Sequence, residues 1–260
     1  MARSFLFAQD QGDAATTRLI AAAAQATGFM KGEPGAARPG WYRAGGENGA
    51  ILAELHAALA ATYPAAGPAF HAVRLWTNLI WQPAYLAVIA AHLHGAMPDF
   101  SGFSQHRRGV YIDGYRLVPG AQTKGPLEAL IADGARQLSA LTMAMLDEVN
   151  AEARLRPLPA RRLLADRMLS LMVWLGQRRR DLPIETIQGF SALWLEGLGL
   201  TGQGDLQVVA AEGGRRLLIV RRKGCCLDYR ITPDRLCASC PKQDDGLRVA
   251  RQTANALAEL

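Results

Sequence analysis

Every cysteine of the chain lies in one short stretch, Lys223 to Lys242, which reads KGCCLDYRITPDRLCASCPK. Cys225 and Cys226 are adjacent, and Cys237 and Cys240 follow in the spacing C-C-x10-C-x2-C, with Pro241 directly after. Four soft thiolates in one loop suit a thiophilic metal centre, either tetrahedral zinc or an iron–sulfur cluster held by four cysteines. Structural disulfides fit poorly. Adjacent cysteines do not bridge readily, because a trans peptide resists the required Cβ spacing and S–S torsion. Four cysteines in 260 residues are also far from the density of small secreted scaffolds.

Zinc meets a difficulty of its own. Its sites usually pair ligands as C-x2–4-C in both halves, each half a turn aiming two sulfurs at one ion. Cys237 and Cys240 fit that turn, whereas Cys225 and Cys226 do not. Neighbouring side chains of an extended segment point to opposite faces, so the backbone must fold sharply to bring both to one centre. Gly224, just before the pair, is the expected source of that freedom.

The residues Arg222, Cys225, Cys226, Tyr229, Arg230, Cys237, Cys240 and Pro241 together resemble the C-terminal signature of the FhuF family of siderophore ferric-iron reductases. The resemblance implies a [2Fe–2S] cluster on Cys225, Cys226, Cys237 and Cys240. It also implies a reaction in which one electron passes to a siderophore-bound Fe(III). The hard oxygen ligands then release Fe(II), which they hold far less tightly. An electron donor such as a ferredoxin or an NAD(P)H-dependent reductase is implied with it. Where the family usually has a further aromatic, this chain has Asp228. Outside the last sixty residues the likeness is looser and rests on a helical region containing RLWTNLIWQPAYLAV, Arg74 to Val88. That region would be the siderophore platform, with Arg74, Trp76, Trp81, Tyr85 and Arg108 as candidate substrate contacts. No side chain need act as acid or base, because the chemistry belongs to the cofactor.

Cations crowd the cysteine stretch in sequence, and positive charge with donated hydrogen bonds favours the reduced form of a cluster. Arg222, Lys223, Arg230 and Arg235 are the candidates for tuning a cluster or docking an acidic donor. Two other readings compete with the reductase. One is a zinc-stabilised, non-redox module that binds a ligand or a protein. The other is a sensor that uses cluster loss as its signal, weakened by the lack of a DNA-binding motif.

The length suits one large domain or two small ones, and a composition half apolar and one-fifth charged is that of an ordinary globular protein. The opening MARSFLFAQDQGDAA has too short an apolar run for a signal peptide. The longest apolar stretch, Ala84 to Met97, carries His92 and His94 and is too short to span a bilayer. With reduced thiols, these features lead us to expect a cytoplasmic protein. A net charge of +6 raises the question of nucleic acid, yet no RNP, helix-turn-helix or zinc-finger pattern accompanies the arginines, so none is expected. The same charge is compatible with peripheral contact with a membrane or a transporter.

Around the cysteines we expect an α+β fold. A mainly helical region with β-hairpins would occupy residues 1–200, and a small iron–sulfur region residues 201–260. Apolar spacing predicts helices over Leu19–Met30, Ile51–Tyr63, Phe70–Met97, Pro126–Ala153, Arg162–Arg179, Ile184–Leu195 and Asp244–Leu260. Pro83 should kink or break the third of these, and Pro157–Pro159 should separate the fourth from the fifth. Trp41–Ala44 reads as a short strand. Asp113–Gly114 predicts a two-residue turn in a hairpin over Gly109–Val118. A second hairpin, Leu206–Ala210 with Arg215–Val220, would deliver the chain to Cys225. The tryptophans at 76 and 81 belong either to the core, where their N–H groups need partners, or to a ligand pocket. His92 and His94, two apart, face different sides of a helix and make a poor metal pair.

Overall fold

Apolar residues at helical spacing account for most of the elements that form. In a computed structural model of the chain, residues 2–233 and 235–258 are described, residues 2–11 and 212 by backbone alone. The helices are α1 (Ala2–Thr27), α2 (Gly49–Thr62), α3 (Pro68–Ile89), α4 (Leu127–Glu152), α5 (Pro157–Arg178), α6 (Ile184–Gly197) and α7 (Asp245–Ala258). The strands are β1 (Gly32–Pro34), β2 (Ser104–Arg108), β3 (Tyr111–Leu117), β4 (Asp205–Ala210) and β5 (Arg216–Arg221). They form one sheet ordered β1-β3-β2 and a second, antiparallel β4-β5 ribbon. The fold is α+β and predominantly helical.

Helix α3 is the centre of the core. Its Leu75, Leu79, Leu86, Val88 and Ile89 are fully buried, against α2, α4 and α5. Helix α5 buries Met168, Met172 and Leu175 and packs against α3, α6 and β5. It therefore lies between the helical body and the ribbon that leads to the cysteines.

The chain passes through Pro83 as one helix, so the proline does not break it. Proline removes the N–H that would have bonded the Leu79 carbonyl four residues earlier. That carbonyl accepts instead from Nε2 of Gln105 on β2, at 3.1 Å, and Gln105 is fully buried. The helix then closes in a π-turn, Ala90–His94, capped by Gly95 at φ 76°. Helix α1 also differs from expectation. It extends back to Ala2 and stops at Thr27, whose Oγ1 accepts the Met30 N–H at 2.9 Å.

The first hairpin turns four residues earlier than Asp113–Gly114. Arg108 pairs with Tyr111, so Gly109 and Val110 make the turn, and Ile112, Tyr115 and Leu117 face the core. Gly114 lies inside β3 at φ 97°, where the register slips between Gln105 and Arg107; a bulge of this kind takes a positive φ that glycine adopts freely. Asp113 meanwhile pairs with Arg108 at 3.2 Å. Trp41–Ala44 contributes only a bridge from Tyr42 to Gln105, not a strand. Pro157 and Pro159 open α5 instead of preceding it, because the first turn has no use for their missing N–H groups. The second hairpin forms as expected. Helix α7 covers the last predicted helix to Ala258, and Leu260 lies outside the described residues. No helix among the described residues is long and apolar enough to cross a membrane.

Candidate metal centre

Strand β5 ends at Arg221, and the next three residues are taken up by one carboxylate on α5. Asp166, 2 % exposed, accepts the Lys223 N–H at 3.1 Å and the Gly224 N–H at 2.7 Å. It also pairs with Arg222 Nε at 3.5 Å. Burial pushes the Asp166 carboxyl up, while Arg222 and the two amide donors pull it down. Gly224 lies directly on the helix: a Cβ there would stand 2.9 Å from Asp166 Oδ2 and 3.0 Å from the Leu163 nitrogen. Its role is close approach, and the sharp fold expected of it falls elsewhere. Leu227, at φ 61°, takes the left-handed conformation. The turn directly follows the adjacent cysteines, and the Leu227 and Asp228 amides pull the Cys225 and Cys226 thiols down against the burial that pushes them up.

All four cysteines are free thiols, Cys240 buried and the others half-buried. Cys237 holds Cys226 down near 6, and Cys226 together with burial pushes Cys237 up. Burial pushes the Cys225 thiol up, with Cys240 among the charges acting on it. Nη1 of Arg222 reaches the Cys237 sulfur at 3.9 Å. The second half of the loop is fastened by side chains that follow it. Gln243 Nε2 donates to the Cys237 carbonyl at 3.1 Å, and Arg251 of α7 donates to the Leu236 carbonyl at 2.8 Å and to Gln243 Oε1 at 2.9 Å.

Among the described residues, no three His, Cys, Asp or Glu side chains converge on one metal-ion position. A structural zinc asks for four ligands around one point, whereas a [2Fe–2S] cluster asks for two cysteines on each of two irons. Four soft thiols on one loop, with Arg222 beside Cys237, are the donor chemistry of a two-iron cluster and of a zinc site alike.

The structure disperses most of the other candidates. Arg74 reaches the loop, donating to Asp228 at 2.6 Å, so the residue that departs from the family pattern serves as an ion-pair partner for α3. Trp76 is core: 2 % exposed, it donates its indole N–H to the Ala160 carbonyl at 3.0 Å. Trp81 and Tyr85 form an aromatic group with Phe29 and Trp174. Arg108 is on the hairpin, beside Asp113. Lys223 turns away to Asp205 at 2.9 Å, and Arg230 ties the loop to the Ala66 carbonyl at 3.0 Å. Arg235 lines an outer groove of about 560 Å³ beside Cys237. His92 accepts the Trp194 indole N–H, while His94 bonds Gln122. Asp166 and Arg167 escaped the reading of the sequence, although their adjacent charges inside the apolar run LLADRMLSLM are unusual enough to have flagged them. No family model matches the chain, and no solved structure matches it.

Proposed function

We propose that the chain is a siderophore-iron reductase of the FhuF type, working in the cytoplasm with a [2Fe–2S] cluster on Cys225, Cys226, Cys237 and Cys240. The observation that carries this reading is four free thiols on one loop, with Cys226 and Cys237 lining a cavity beside Arg222, whose guanidinium reaches the Cys237 sulfur, and with the Leu227 and Asp228 amides acting on Cys225 and Cys226. When bound, the cluster supplies a one-electron carrier. The chain's own groups do the rest. The two amides and Arg222 offset the negative charge of four thiolates and favour the reduced form. Asp166 fixes the incoming strand, and the Gln243–Arg251 clasp fixes the outgoing one. Arg235, Arg251 and Ile231 line the outer groove, a surface suited to an acidic donor of the ferredoxin class. One electron enters from that donor and one leaves to the Fe(III) of the chelate, which departs as Fe(II); no proton transfer is required.

The test is an anaerobic absorption and EPR spectrum of the full chain before and after dithionite, with iron and zinc analysis. We expect a red-brown protein with a rhombic S = 1/2 signal on reduction, and Fe(II) release from an added ferric hydroxamate. A colourless, EPR-silent protein that holds zinc would remove the reductase and leave a non-redox binding module.

A further inference from the structure

Between α3, α5 and the cysteine loop lies a cavity of about 220 Å³, into which Arg74, Arg167 and Arg222 project beside Cys226 and Cys237. Two of these guanidiniums are already engaged. Arg74 donates to Asp228 at 2.6 Å, and Arg222 is shared between Asp166 at 3.5 Å and the Cys237 sulfur at 3.9 Å. Arg167 is different. Among the described residues it makes no hydrogen bond or ion pair, and the groups that act on it electrostatically are Tyr85 and the like-charged Arg222. Three cations thus face two carboxylates, both already paired. A half-buried guanidinium with unused donors beside another cation is unfavourable unless an anion meets it.

We infer that this cavity is an oxyanion subsite, in which Arg167, flanked by Arg74, receives one carboxylate arm of the iron chelate and seats the complex against Cys226 and Cys237. The identity of the ligand rests on the reductase reading; the anion site itself needs only the side chains. The cavity's size sets the mode of binding. Whole drug-sized ligands occupy roughly 300–1,000 Å³, so here one arm enters and the body of the chelate stays outside. Carboxylate-bearing ferric chelates are accordingly the preferred class over uncharged or cationic ones.

Gallium(III) citrate, an anionic and redox-inert stand-in for a ferric carboxylate chelate, is the probe, titrated calorimetrically into the full chain. We expect saturable binding that Arg167→Gln weakens about tenfold or more, the worth of a charge-assisted contact. Arg167→Lys should recover part of the loss. Arg74→Gln, a change at a more exposed position, should also weaken binding because it releases the Asp228 charge into the cavity; it keeps the test open if Arg167→Gln does not fold. Arg136→Gln removes an equal charge from an exposed pair with Asp133 and should bind as wild type does. The subsite is overturned if wild type shows no saturable binding, if Arg167→Gln or, where that variant does not fold, Arg74→Gln binds as tightly, or if Arg136→Gln weakens binding equally. Spectra of the same samples separate the two ideas. Arg167-dependent binding by a colourless protein removes the reductase and keeps the subsite; a red-brown protein without binding does the reverse.

Discussion

The helical body and the cysteine-bearing segment are held together by different physics. In the body, α3 and α5 bury long apolar side chains, many of them completely, and stability comes from area removed from water. From β4 onward the described buried apolar side chains are few: Val209, Ile219, Val220 and Cys240. Helix α7 buries Arg248 where a core helix would bury leucine. What replaces the missing apolar contact is a set of directed ties, from Asp166 to the Lys223 and Gly224 amides, from Arg230 to Ala66, and from Arg251 to Leu236. On the proposed reading, such a segment draws part of its order from the group its thiols hold.

The sharpest way to break this contrast is Cys226→Ser. If the proposed cluster is present, the variant should lose its visible absorption and its iron release, and amide exchange across residues 222–243 should rise while α3 and α4 stay protected. Retained reductase activity, or a body that loosens along with the loop, would contradict it. Trp76→Ala should do the opposite, destabilising the whole chain by about 3–5 kcal/mol in thermal or urea unfolding while the folded fraction keeps an unaltered spectrum. Asp166→Ala acts at the seam between the two regions. It leaves the buried Gly224 amide, the part-buried Lys223 amide and Arg222 without their acceptor, a loss of about 2–3 kcal/mol, and the EPR line of the proposed cluster should broaden as the loop loses its fixed position. Asp166→Asn should be milder, and an unchanged line shape in the alanine variant would deny the carboxylate its role.

The smallest effect belongs to the body alone. Burial, helped by Arg179, holds His92 down near 4 against an ordinary value of 6.5, so the folded protein keeps the imidazole neutral. Its contribution is complete above the unfolded value and is lost as pH falls from about 6.5 toward 4, a loss of about 2 kcal/mol after allowing for the partial exposure of the ring. Urea midpoints measured across that range should fall more steeply for wild type than for His92→Gln. Parallel slopes would show that the histidine titrates freely.

Local pattern made α2, α4, α6 and the β4-β5 ribbon legible, because each repeats apolar residues at its own period with turn residues at its ends. Pro83 stays within the helix for a reason no local window contains. The acceptor it orphans is satisfied by Gln105, on a strand more than twenty residues away. Asp113–Gly114 misled because the strongest turn dipeptide was spent on a bulge, and the less conspicuous Gly109–Val110 made the turn. The cysteine spacing marked where the candidate site lies, since all four ligand candidates sit in one stretch of sequence. Its supports were not legible: Asp166 and Arg167 come from a helix some sixty residues earlier, and only packing α5 against β5 brings them under the loop. The surroundings of the candidate substrate contacts were not legible from residue type, for an arginine or tryptophan in an apolar helix looks the same whether it faces the core, as Trp76 does, or the cavity, as Arg74 does.

The left-handed turn at Leu227 has a consequence for how such a site can vary over generations. Two of the groups that pull the Cys225 and Cys226 thiols down are main-chain amides, at Leu227 and Asp228, and no point substitution short of proline deletes them. The side-chain donor, Arg222, is by contrast one codon change from loss. Genetic drift therefore acts unevenly here: the backbone share of the electrostatic environment is inherited with the turn itself, and the share open to adjustment is concentrated in a single arginine.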